Sequence, residues 1–99
     1  MDVEELRELF RKNVDGDEFL EFDRVELKRS SRPDLHAFIT LDRMVGGSGD
    51  IIAAAEHDVI YLDISISELA KVVYETDIID LIRCGVLLDE GNDYLMMYA

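Results

Sequence analysis

The residues most capable of chemistry are two histidines and the carboxylates near them. Glu56, His57 and Asp58 are consecutive, and His36 lies in a separate segment. Imidazole and carboxylate groups bind divalent metals and transfer protons in many enzymes. If a turn folds the consecutive three toward the segment of His36, the four side chains form a metal site. One hypothesis is therefore a small metal-dependent enzyme that uses His36, Glu56, His57 and Asp58.

The spacing of these residues is also typical of an ordinary polar turn and a histidine on a helix. Adjacent residues on a strand point to opposite faces, so Glu56, His57 and Asp58 converge only if they form a turn. The sequence contains neither a His-Glu-x-x-His segment nor a Cys-x-x-Cys pair, and no segment has the spacing of a calcium-binding loop. We therefore expect no cofactor and treat the enzyme as the alternative hypothesis.

The single cysteine, Cys84, lies in the apolar run 81–86. A lone cysteine forms no internal disulfide, and in such a run it is expected to be a buried apolar side chain.

The chain begins with an acidic segment rather than the basic one of a signal peptide. No apolar stretch approaches the roughly 20 residues of a membrane span. These features predict a cytoplasmic protein, within the host cell if a phage encodes it.

Net charge is the strongest functional signal. The 99 residues contain 23 acids and 10 bases, which gives −13 at pH 7. Residues 33–99 hold thirteen of the acids and three of the bases, Arg43, Lys71 and Arg83. Binding to nucleic acid or to anionic membranes needs lysine and arginine, so direct contact with either is not expected. An acidic surface instead attracts cations and basic proteins.

The leading hypothesis is a non-enzymatic interaction protein that docks on a basic protein, such as one that normally binds nucleic acid. Electrostatic attraction would guide the encounter, and a few apolar side chains would anchor it. The competing interpretation is that acidity serves only solubility or adaptation to a salty cytosol. The acids expected to meet the partner lie in turns and in the later helices: Asp50, Asp58, Glu68, Glu75, Asp77, Asp80, Asp89, Glu90 and Asp93.

Four stretches of the chain carry a resemblance to other proteins. They are 32–39, which reads Arg-Pro-Asp-Leu-His-Ala-Phe-Ile, and 41–42, 54–58 and 81–86. With this pattern the chain resembles a family of small, uncharacterised acidic proteins encoded by phages and prophages. No activity is attached to that family. The resemblance implies a role in phage regulation or against the host, and in composition the chain is similar to phage inhibitors that mimic the charge of DNA.

Helical periodicity is clearest in two segments, and capping residues indicate three more helices. Apolar residues at helical spacing predict helices over 2–12 and 33–45, the second opened by serine caps and Pro33 and ended by Gly46. Ser65 and Glu68 have the spacing of a capping box that opens a helix to about residue 74, with Ser67 as a competing cap. A further helix is predicted over 77–84 with Thr76 as its cap, and a short one over 51–56 with Asp50 as its cap.

Strand signals predict segments at 22–28 and 59–64 and a hairpin over 86–98. The order of elements predicts one α+β domain over residues 1–99. Its three- or four-stranded sheet should be antiparallel or mixed, with helices mainly on one face.

In the last strand Tyr94, Met96 and Tyr98 share one face, and Leu95 and Met97 share the other. Both faces are apolar, which predicts either a central strand or the seam of a homodimer.

Overall fold

The first helix forms because acids open it, bases close it and its apolar residues share one face. In the computed structural model, which describes residues 1–98, α1 spans Val3–Asp15. The Asp2 carboxylate accepts a hydrogen bond from the Glu5 backbone N–H at 2.8 Å and caps the helix. Leu6 and Phe10 are buried on its inner face. The helix predicted over 2–12 is confirmed, with one further turn.

Two later helices start at residues other than the predicted caps. α2 spans Pro33–Met44, and Arg32, not a serine, occupies its N-cap position. Because Pro33 has no N–H and already holds a helical φ, the helix begins without a side-chain cap. α4 spans Glu75–Arg83, and Tyr74 rather than Thr76 precedes it. The Asp77 carboxylate accepts the Tyr74 backbone N–H at 2.9 Å.

The third helix and the end of the fourth follow the sequence signals. α3 spans Ile66–Val72, and Ser65 Oγ accepts the backbone N–H of Glu68, as the capping pattern predicts. α4 ends before Gly85, whose φ of 98° lies in the left-handed region that suits glycine. A side chain at this position would also press on Leu20, because an added Cβ would lie 2.9 Å from its Cδ2 atom.

The predicted strand over 22–28 is wrong. A single 3-10 turn spans Phe22–Arg24, and the rest of the segment is irregular. Val25 is buried and Leu27 is 88% exposed, so their alternation does not mark a half-buried strand. No strand lies beside the segment to complete a ladder within residues 1–98. Side chains bond to parts of its backbone instead: Lys28 Nζ donates to the Val25 carbonyl at 2.7 Å, and Arg83 donates to the Arg24 carbonyl at 3.1 Å.

The predicted short helix over 51–56 is also wrong, because this segment is strand β1, Ile52–Glu56. It forms an antiparallel hairpin with β2, Val59–Leu62, across a turn of two residues. His57 and Asp58 both have positive φ, 46° and 67°, as a type I′ hairpin turn requires. Alanine favours helices, but six residues are too few for a stable helix, so pairing with β2 decides the structure.

The sheet confirms the predicted fold class. Strands β3, Leu87–Asp89, and β4, Tyr94–Tyr98, form the predicted C-terminal hairpin. The four strands are antiparallel in the order β1-β2-β4-β3, so β4 is an interior strand. Leu95 and Met97 face the core, where they join Leu62 and the inner residues of the helices. The structure is therefore an α+β fold with a four-stranded sheet.

Candidate protein-interaction surface

His36 lies inside the protein rather than in a site. It is on the inner side of α2, 3% exposed, and its Nδ1 atom accepts the backbone N–H of Arg29 at 3.0 Å. The ring is tilted against Phe22, with centroids 5.9 Å apart. Burial lowers the pKa of His36, and the charges of Arg29 and Lys28 lower it further, while Asp80 opposes them. The imidazole thus acts as a neutral acceptor that holds the irregular segment, residues 16–32 between α1 and α2, against α2.

The Glu56-His57-Asp58 cluster occupies the tip of the β1–β2 hairpin and is exposed throughout. Among residues 1–98, no three or more histidine, cysteine or acidic side chains are placed so that they could hold a metal ion. His36, Glu56, His57 and Asp58 are therefore not brought together as the metal hypothesis requires. His36 is buried with one nitrogen already bonded, whereas the other three lie on an exposed turn.

Cys84 is buried at the end of α4, as predicted. Burial, with a smaller contribution from Asp80, raises the pKa of its thiol to about 12. The neighbouring Arg83 is engaged elsewhere, because it pairs with Glu18 at 2.7 Å. A thiol of this kind is not ionised near neutral pH and serves as a packing side chain.

Most of the acids predicted to meet a partner are already engaged within the chain. Five lie within 4 Å of a base, two of them in ion pairs that join α1 to the β3–β4 turn: Arg7 to Asp93 at 2.7 Å, and Arg11 to Glu90. Asp77 and Asp89 accept backbone N–H groups. The remaining pairs are Lys71–Glu68, Lys12–Glu75 and Arg83–Asp80.

Asp50 and Asp58 differ from the other seven. Both are exposed, and within residues 1–98 their carboxylates enter no ion pair or side-chain hydrogen bond. Glu56 and Asp63 share these properties, although sequence reasoning placed Glu56 only in the metal hypothesis and did not select Asp63. We refer to Asp50, Glu56, Asp58 and Asp63 as the hairpin acids. A signal for them was present, because residues 44–70 contain five acids and no lysine or arginine.

The hairpin acids are placed at both ends of β1. Glu56 ends the strand and Asp58 completes the turn after it. Asp50 precedes the strand, and Asp63 lies beside it because its backbone N–H donates to the Ile51 carbonyl at 2.6 Å. At roughly 3.3 Å per residue, the five residues of β1 separate the two pairs of acids by about 17 Å.

The outer face of the sheet is apolar and aromatic. The register places Ala54, Tyr61, Met96 and Leu87 in one row across the four strands, and Val59 beside Tyr98 in the next. None of these residues packs into the hydrophobic core. We call the following set the open face: Val59, Tyr61, Leu87, Tyr94, Met96 and Tyr98.

Three of the four tyrosines of the chain lie on the open face. Tyr94 is 42% and Tyr98 is 63% exposed, and the Tyr61 and Tyr94 rings meet edge to face at 6.1 Å. Tyrosine and methionine are enriched at protein interfaces. The sequence correctly placed Tyr94, Met96 and Tyr98 on one side of the last strand and left open whether that side was core or interface. In this chain Tyr94 and Tyr98 are exposed, whereas the other residues of the open face are partly buried.

The comparisons with known proteins yield no match: no protein-family model, no curated protein and no solved structure matches this chain. Among residues 1–98, no helix has the length and apolar character needed to cross a membrane.

Proposed function

We propose that this protein is a non-enzymatic interaction protein that binds a basic surface of another protein. The observation that carries the proposal is the set of four hairpin acids, which are exposed, form no ion pair within residues 1–98 and lie beside an aromatic face whose Tyr94 and Tyr98 are exposed. Acids already paired within a chain must exchange one base for another when a partner arrives. Unpaired acids gain an interaction without losing one.

Each part of the surface has a separate role in the proposed binding. The hairpin acids attract the basic partner and raise the rate of encounter. The open face then supplies side chains that lose contact with water, which is the main source of affinity in most interfaces. Tyr61 and Tyr98 are suited to this role because they combine a large apolar area with two side-chain torsions, and Met96 because its flexible thioether adapts to a partner's surface.

The finer form of the proposal concerns the kind of partner. A surface that carries acids in place of phosphates can occupy a protein's nucleic-acid site, since both present negative charge to lysine and arginine. The resemblance to small acidic phage proteins supports a host protein as the partner. An inhibitor of a nucleic-acid-binding protein is the specific role that we propose.

The proposal is tested by neutralising the hairpin acids and titrating the variant with a nine-residue oligolysine. The variant carries Asp50→Asn, Glu56→Gln, Asp58→Asn and Asp63→Asn. We expect its affinity at low salt to fall about tenfold or more, since each exposed ion pair contributes roughly 0.2–1 kcal/mol. Asn suits the positive φ at residue 58, so the hairpin turn should persist.

A matched control removes four negative charges from acids that are paired within the chain: Glu68→Gln, Glu75→Gln, Glu90→Gln and Asp93→Asn. Its net charge equals that of the first variant, and we expect its affinity to change less than threefold. Thermal unfolding of both variants verifies that they fold. Equal losses in the two variants, or no loss in the first, would show that the hairpin acids are not the binding site.

A further inference from the structure

The free edge of strand β1 has unsatisfied capacity for hydrogen bonding. β1 is the terminal strand of the sheet, and all five of its side chains are exposed. Within residues 1–98, β2 is the one element that packs extensively against it. In an antiparallel ladder, alternate residues direct their N–H and C=O groups away from the paired strand. Some peptide groups of Ile52–Glu56 therefore point to an edge where another strand can pair.

The opposite edge of the sheet is not equivalent. β3 has three residues, and α1 lies against it, with Arg7 and Arg11 reaching over to the β3–β4 turn. A helix beside an edge strand blocks the approach of another chain. Within its five residues, β1 lacks three of the usual protective features of an edge strand: a proline, a lysine and a covering helix. Its single bulge, near Ala53, leaves most of the strand regular.

The side chains of β1 permit close approach. Ala53, Ala54 and Ala55 project little beyond the backbone, so an incoming strand meets no steric barrier on either face of the sheet. An added strand would also extend the open face, because Ala54 and Glu56 already lie in its rows. Apolar residues of that strand would pack beside Tyr61 and continue the existing surface.

Charge decides which kind of chain can pair there. The hairpin acids occupy both ends of the edge, about 17 Å apart. A second copy of this protein, paired through its own β1, would bring eight unpaired acids together and be repelled. An extended segment with basic residues at its ends and apolar residues between them matches both the charge and the length of the edge.

We propose that an extended basic segment of the partner pairs with β1 and becomes a fifth strand of the sheet. Backbone hydrogen bonds to Ile52–Glu56 hold the segment, and its terminal basic residues pair with Asp50 and Asp63 at one end and Glu56 and Asp58 at the other. The inference rests on the proposed function, because it assumes a basic partner. It adds the mode of recognition, which is strand addition.

The test uses the unmodified protein and a pair of synthetic peptides. The first has two lysines at each end and alternating valine and threonine at five central positions. The second has the same side chains but is N-methylated at all five central residues, so it keeps its charge and lacks the N–H groups that a ladder needs. We expect the first to slow hydrogen exchange at amides of β1, and the second to bind at least tenfold more weakly, about 1.4 kcal/mol.

The outcomes separate the inference from the proposed function. Equal binding of the two peptides, with no exchange protection in β1, would overturn strand addition and leave charge-based binding intact. Failure of both peptides to bind at low salt would count against both proposals. A dimer of the protein alone that protects the β1 amides, measured by sedimentation and exchange, would assign the edge to a second copy and overturn the inference.

Discussion

At the scale of single residues, burial decides what a titratable group does. His36 and His57 are the two histidines of the chain, yet one is a buried acceptor and the other is exposed in a hairpin turn. Sequence reasoning could identify both as candidates for chemistry. It could not tell that the Arg29 backbone would occupy Nδ1 of His36, since that contact depends on how the irregular segment packs on α2.

His36 makes the stability of the fold dependent on pH. Burial lowers the pKa of its imidazole below the usual 6.5, so the unfolded chain takes up a proton at a higher pH than the folded protein. The contribution of His36 is thus fully present above pH 6.5 and is lost as pH falls toward the lower folded value. We expect the free energy of unfolding to decrease below pH 6.5, by at most about 1.4 kcal/mol per pH unit from this group.

Urea unfolding between pH 5 and 8 measures this effect. His36→Gln should flatten the decrease, because an amide keeps a hydrogen-bond acceptor without titrating. His57→Gln is the matched control, and its profile should follow that of the unmodified protein. Asp80, Arg29 and Lys28 face His36 and are retained in both variants. A decrease that persists unchanged in His36→Gln would show that other groups cause it.

At the scale of elements, sequence patterns correctly predicted the helices and the hairpin that are formed by residues close together in the chain. α1, α3 and the β3–β4 hairpin follow from apolar spacing, capping residues and a polar turn, all within a dozen residues. The errors at 22–28 and 51–56 have a different origin. In both segments the neighbouring element decides whether a strand forms. β2 pairs with β1, whereas no strand within residues 1–98 pairs with the segment at 22–28.

Glu18 explains how the irregular segment is held without a sheet. It is 9% exposed, and its two carboxylate oxygens accept from Arg24 at 2.8 Å and from Arg83 of α4 at 2.8 Å. Arg83 also donates to the Arg24 carbonyl at 3.1 Å. One buried acid therefore joins the start and the middle of the segment to α4. This role was not visible in the sequence, because the residues are up to 65 positions apart.

Removing the charge of Glu18 should loosen this segment. Glu18→Gln keeps the size of the side chain but leaves the half-buried Arg83 with only the more distant carboxylate of Asp80, 3.7 Å away, at an expected cost of roughly 1–3 kcal/mol in the free energy of unfolding. Amide exchange over 18–29 should accelerate more than exchange in the sheet. Glu21→Gln serves as the control, since Glu21 is exposed and enters no ion pair within residues 1–98. An unaltered denaturation midpoint in Glu18→Gln would contradict this account.

At the scale of the whole molecule, the distribution of charge matters more than its total. A net charge of −13 could be read from composition, but which acids are available could not. Pairs such as Arg7–Asp93 and Arg11–Glu90 join residues far apart in the chain and satisfy acids that the sequence marked as partner-binding. Unpaired acids also lie elsewhere, Glu21 among them, but the four hairpin acids fall in a stretch, residues 44–70, that has no lysine or arginine, and they lie next to the open face. The absence of nearby bases in the sequence and the adjacent open face distinguish the hairpin from the rest of the acidic surface.

The most direct test of this site is an NMR titration of the unmodified protein with oligolysine at low salt. We predict that backbone amide shifts concentrate in residues 50–63 and disappear as salt rises and the Debye length falls from about 10 Å at 0.1 M to about 3 Å at 1 M. Shifts spread evenly over the surface would indicate attraction by net charge alone. Shifts centred on 89–93, where the acids are paired with α1, would place the site elsewhere. Either result would contradict the central claim that the unpaired acids of the hairpin bind the basic partner.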